Sequence, residues 1–107
     1  MIKNFTPAQG LTFADQVQYQ EGQVVSKTLA QDKHHSLTLF AFEKGEEISS
    51  HSSTGDALVI ALDGVGEVTI DDETFVLQAG DSILMPNNVA HAVYAPERFK
   101  MFLVVIF

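Results

Sequence analysis

The sequence contains no cysteine, which removes disulfide staples, thiolate metal sites and a cysteine nucleophile together. That absence fits a reducing compartment, and we read the chain as cytoplasmic. Basic residues are scarce: six Lys and Arg stand against 14 Asp and Glu, giving a formal net charge of −8. Lys3, Lys27, Lys33, Lys44, Arg98 and Lys100 are scattered, so no basic stripe exists to follow a phosphate backbone or an anionic lipid surface. Neither nucleic acid nor membrane is an expected partner. Long apolar runs are missing too. The longest, Met101 to Phe107, is about a third of the ~20 residues a membrane helix needs. The opening MIKNFTPAQG carries no apolar stretch of signal-peptide length after Lys3. Helical periodicity is lacking as well: no window longer than about ten residues keeps apolar positions at helical spacing.

What remains is a chain of 107 residues, 46% apolar and 19% charged, enough for one domain around one core. Its pattern is short β-type segments cut by Gly, Asp, Asn and Pro. Residues 24–30, 36–42, 57–62, 65–70, 74–78, 82–85, 91–95 and 99–106 are rich in β-branched, aromatic and other apolar side chains. Asp63-Gly64 separates two of them and predicts a tight hairpin, because Gly accepts the positive φ such turns require. Asp71-Asp72-Glu73 reads as a second turn, and Pro86 ends the 82–85 segment. Eight strands without intervening helices imply antiparallel pairing in a closed barrel or sandwich. Residues 1–20 read as an N-terminal arm, loosely held over 1–11, and residues 21–107 as the barrel. Phe13 to Tyr19 reads as a strand or an irregular lead-in. The final run Leu103-Val104-Val105-Ile106 has no polar face, so both sides call for cover: a second sheet on one, another subunit on the other. Phe5, Leu11, Phe13, Val17 and Tyr19 add apolar groups with no core of their own. A homodimer is the expectation.

Two stretches carry more specific information. Gly45-Glu46-Glu47-Ile48-Ser49-Ser50-His51 sets a glycine six positions before a histidine, with Ser53 two positions later and Gly64 beyond. Gly80 to Pro86, followed by Asn87-Asn88-Val89-Ala90-His91, repeats a glycine, a proline and a histidine at fixed spacing. In this order, joined by one short hairpin, they resemble the two motifs of the cupin superfamily over about residues 37–105. The resemblance implies an all-β antiparallel jelly-roll barrel, a double-stranded β-helix, whose interior holds His51 and His91 from adjacent strands. Metal-binding cupins usually present two histidines one residue apart, then a glutamate, then a third histidine. Here Ser53 stands at the second histidine and Ala57 at the glutamate, while Asn88 replaces a glycine and Ala95 an asparagine.

Two imidazoles retain a divalent transition metal (Zn, Ni, Fe, Mn or Cu) only if other donors complete its shell. Asp56 is the nearest carboxylate, but alternation points it outward if Ala57 points inward, unless a bulge at Gly55-Asp56 re-aims it. The competing readings are plainer. His51 and His91 become metal-free pocket histidines bonded to Ser53 or backbone, Asp56 a turn residue capping local N–H groups, and His34-His35 a solvated loop. Ser53 lacks a fixed general base or oxyanion loop, which argues against a serine nucleophile. Glu43, Glu46 and Glu47 read as a solvated loop, and Met85 and Tyr94 as barrel lining that shapes a ligand pocket. The expected function is small-molecule binding in a pocket formed by His51, Ser53, Ala57, Met85, His91 and Tyr94. The alternative is a metal-dependent isomerase, lyase or dioxygenase with a reduced ligand set. A regulator's sensor domain is a third reading, although no helix-turn-helix segment accompanies it.

Overall fold

Period-two alternation presents one face of a segment to the core and the other to water. The segments that show it form strands in the computed structural model, which describes residues 1–107. The strands are β1 (Val24–Gln31), β2 (His35–Phe42), β3 (Glu47–His51), β4 (Asp56–Ile70), β5 (Glu73–Gln78), β6 (Ser82–Met85), β7 (His91–Tyr94) and β8 (Phe99–Ile106). All pair antiparallel, in two sheets that share β4. The first sheet runs β1-β2-β8-β4-β6, and the second runs β3-β7-β4-β5. Between them lies a core containing Phe42, Val59, Val68, Val93, Phe99 and Met101. This is the antiparallel jelly-roll barrel that the strand pattern predicts.

Residues 63–64 depart from expectation. They are not a hairpin: β4 is one continuous strand of 15 residues. Its first half pairs with β8 and β6, its second half with β5 and β7. A register shift between Ala61 and Asp63 marks a bulge, which bends the strand from one sheet into the other. Gly64 has φ +73°, and a Cβ on it would lie 1.6 Å from the Arg98 carbonyl oxygen. Dipeptide chemistry correctly signals positive φ, but here β4 itself continues past the bend to pair with β5 and β7 instead of turning back. The true hairpin is at Asp71-Asp72, where Asp71 takes φ +51°.

The arm is also more ordered than its composition implies. Lys3 donates its backbone N–H to Leu29 O at 2.7 Å, and Asn4 Nδ2 donates to Thr28 O at 2.8 Å. Phe13–Gln16 forms one 3₁₀ turn. Phe13 packs edge-on against Phe102 of β8, with ring centroids 4.7 Å apart. Val17, Leu29, Leu39 and Ala41 make a second cluster with Phe5, Phe13 and Tyr19 on the outer face of the first sheet. Part of the cover predicted to come from another subunit therefore comes from the chain's own first 19 residues. Tyr19 fastens the arm: its hydroxyl donates to Asp63, and its ring lies between Arg98 (5.1 Å) and Lys100 (4.9 Å). Lys100 is buried and donates Nζ–H to Ala14 O at 2.7 Å. Burial, then the Asp63 bond, holds the Tyr19 phenol above its ordinary pKa. No helix is long and apolar enough to cross a membrane.

Candidate functional site

His51 closes β3 and His91 opens β7, and the two are direct partners across that ladder. Their ring centroids are 4.4 Å apart, at an interplanar angle of 70°. A bulge makes this possible. Between Ile48↔Val93 and His51↔His91, β3 advances three residues while β7 advances two. Strict alternation from Ile48 would turn His51 outward, and the extra residue brings it back to the inner face. Directly opposed residues on antiparallel strands project from the same face, so two inner rows cross the second sheet. One is apolar: Ile48, Val93, Val68 and Phe75. The other forms the rim: His51, His91, Ile70 and Glu73.

The two imidazoles are anchored alike. His51 Nδ1 lies 3.0 Å from Ser49 O, and His91 Nδ1 lies 3.1 Å from Val89 O. A carbonyl oxygen only accepts, so each Nδ1 carries the proton, and in the neutral ring each Nε2 is left as an acceptor. No protein group bonds to His91 Nε2. Because no buried side-chain nitrogen or oxygen lacks a partner, that atom remains in contact with solvent even though the residue is only 5% exposed. Burial lowers the His91 pKa below its ordinary value; the Val89 carbonyl bond opposes this, and a charged His51 would add to it.

A cleft of about 790 Å³ opens next to Ile70, the cross-strand partner of His91, and neither histidine lines it. It occupies the seam between β5 and β6, each of which pairs only with β4. Ile70, Phe75, Ile83, Leu84 and Pro86 line it, and Asp71, Asp72 and Glu73 surround its mouth. Ile70, the cross-strand partner of His91, joins cleft to pair. The acidic turn was legible in the sequence as a turn, but its place over the cleft depends on the β4–β5 hairpin, which local patterning does not specify.

The other predicted residues are distributed differently. Ala57 and Met85 are partners across β4 and β6 and are buried in the core. Ser53 is half-buried and accepts the Asn88 backbone N–H at its carbonyl, 3.0 Å away. Asp56 is exposed and accepts the Asn87 N–H at 2.9 Å, while Asn87 Oδ1 accepts the Gly55 N–H at 2.8 Å. It clasps a turn instead of joining the imidazoles. Tyr94 requires correction. It shares parity with Ala92 and alternates with His91 and Val93 along β7, so it lies on the outer face, 40% exposed, and does not line the interior. His34 and His35 stand at the β1–β2 turn, where Asp32 Oδ1 accepts both their backbone N–H groups.

A resident divalent metal can be tested against this donor set. The pair supplies two imidazoles, but no three His, Cys, Asp or Glu side chains come together to hold an ion. The glutamate position is Ala57, buried in the core. The residues do not fit the usual four-ligand site.

An antiparallel jelly roll of this topology is the fold of the cupin class. The Cupin domain family model matches residues 38–107, and the chain belongs to that family. It is similar to a conserved protein of unknown function from Streptococcus pyogenes, with 43% identity and a TM-score of 0.96 over 98% of this chain and 92% of that one. It also resembles a cupin superfamily protein from Desulfitobacterium hafniense, with 32% identity and a TM-score of 0.96 over 100% of this chain and 98% of that one. A cupin 2 conserved barrel domain protein from Leptotrichia buccalis is 40% identical, TM-score 0.88, over 91% of this chain but 47% of its own. No curated protein matches the chain in sequence.

Proposed function

We propose that this chain is a small-molecule-binding cupin whose ligand is held by His51 and His91 at the barrel rim, with its body in the adjoining cleft. One observation carries the reading. Both Nδ1–H groups are spent on backbone carbonyls, which fixes two rings side by side with their Nε2 atoms uncommitted to the protein. With neutral rings such a pair accepts hydrogen bonds from hydroxyl, amide or ammonium donors. The apolar cleft supplies area, and the imidazoles supply orientation, the division of labour usual in ligand sites.

A metal-dependent isomerase, lyase or dioxygenase is the second reading. Its support is the same Nδ1 anchoring, since a carbonyl behind an imidazole also orients a metal ligand. The missing third protein donor ranks it below simple binding.

The test is a ligand-observed NMR screen of small polar compounds, repeated on H51A and H91A. Binders to the wild type should lose their signal in both variants while circular dichroism stays unchanged. Compounds that bind all three proteins equally would overturn the reading.

A further inference from the structure

We infer that the ligand is an amphipathic cation, a small amine whose apolar body fills the cleft and whose ammonium group stays at its mouth. The inference rests on the two-histidine reading and names the chemistry of its ligand.

The rim row sets the polarity. From β3 to β5 it runs His51, His91, Ile70, Glu73, and the hairpin adds Asp71 and Asp72 at the mouth. The ionisable groups lining the cleft are three carboxylates, with no Lys or Arg among them. None of the six basic residues lines the cleft, and the chain carries a net charge of −8. A cleft walled by one sign of charge concentrates counter-ions of the other. The two histidines agree with the carboxylates, since neutral rings with Nδ1 protonated offer only acceptors at Nε2. His91, nine-tenths buried, keeps an unpartnered Nε2 on the same face as Ile70, its cross-strand partner, which lines the cleft although His91 itself does not. Burial keeps that ring neutral to lower pH. An ammonium supplies three donors and a positive charge to this edge. A carboxylate ligand would meet repulsion there and find no cation.

The interior sets the size and character of the remainder. Behind the rim lie Phe75, one inner row deeper, and Ile83 of β6, and two residues along a strand advance about 7 Å. A chain of roughly six carbons spans that depth, at ~1.3 Å per methylene in an extended alkyl chain, and favours burial through its apolar surface.

Three isosteric probes test this on the full chain: hexylammonium, hexanol and hexanoate, followed by amide and imidazole chemical shifts at pH 7.5. Hexylammonium should saturate, moving signals of Ile70, Phe75, Ile83 and the two histidines, and should weaken with added salt. Hexanol should bind more weakly at the same residues, and hexanoate should give no saturable shift. The variant D71N/D72N/E73Q keeps side-chain size and the left-handed position at 71. It should weaken hexylammonium about tenfold, as expected from losing three exposed charge pairs, and leave hexanol unchanged. Hexanoate moving the histidines while hexylammonium does not would overturn the inference and leave the two-histidine site standing. If no probe moves His51, His91, Ile70 or Phe75, both fall.

Discussion

His51 and His91, 40 positions apart in sequence, face one another across the β3–β7 ladder with ring centroids 4.4 Å apart. Each is fixed by a bond to the carbonyl two residues before it. The symmetry of these bonds means that one local device, an Nδ1–H turned onto its own backbone, is used twice to present two Nε2 atoms at one rim.

Burial of His91 has a consequence for stability. Its folded-state pKa lies below the ordinary value, chiefly through desolvation, with the His51 charge a smaller cause in the same direction. The unfolded chain therefore binds the proton more readily. The stability that follows is present in full above the unfolded value of ~6.5 and is lost as pH falls from there toward the lower folded value. In thermal melts, the Tm advantage of the wild type over H91Q should shrink as pH drops from 7.5 to 5. In H51A, NMR titration should show His91 protonating at higher pH than in the wild type. A Tm difference independent of pH would contradict this.

Metal affinity should reflect the incomplete donor set. Two imidazoles leave at least two positions of a zinc shell to water, so calorimetry should find weak zinc binding that is lost in H51A. Treatment with EDTA should leave the Tm unchanged. Asp56→Ala should not alter zinc affinity, because that carboxylate is held by the Asn87 N–H, and should cost only about 1 kcal/mol of stability. Ser53→His, which restores the histidine pair of the family motif, should tighten zinc by about tenfold or more. Equal weakening by Asp56→Ala and His51→Ala would place the carboxylate in the site after all.

How much of this was written locally differs from strand to strand. β8 coincides with the predicted 99–106, and β1 and β2 extend their predicted segments by a residue each. Those strands have alternating or wholly apolar faces, so periodicity identifies them. β3 was invisible as a strand: Glu47–His51 is mostly exposed, with a bulge that breaks the period. The histidines were found through motif spacing, not through their strand. That spacing encodes which elements meet, yet it did not reveal that Tyr94 turns outward. A single position of alternation decides its face, and the register comes from pairing with Glu47 and Glu67. The cleft was equally hidden, because its walls come from β5 and β6, which touch β4 and not each other.

The outer face of the first sheet is where the expectation of a homodimer can be tested. The arm's cluster takes in Phe102 and Leu37, but from Leu37 the row continues through Val104 and Leu58 to Leu84, which also borders the cleft, across β8, β4 and β6. Leu84 is 51% exposed, and Ile106 and Phe107 are similarly open. A two-fold axis through this strip would bury it against its own copy. Light scattering at micromolar concentration should give the dimer mass, and Leu84→Glu should give the monomer. A monomeric wild type would refute the expectation.

The bend in β4 provides the sharpest test of the fold. Gly64 combines φ +73° with a place where an added Cβ would stand 1.6 Å from the Arg98 carbonyl oxygen and 2.7 Å from its carbon. Backbone cannot yield there without separating β8 from β4, the strand that carries the chain between sheets. Gly45 offers a matched control, with φ +86° but nothing within 4 Å of the added atom. Gly45→Ala should therefore cost only the left-handed strain, about 1–2 kcal/mol. Gly64→Ala should add a steric conflict in a fixed ladder, for a total above roughly 3 kcal/mol. Urea unfolding of the two variants separates these contributions. If both lose the same stability, conformational strain alone explains Gly64, and close approach of the β8 backbone is not what requires glycine at the bend.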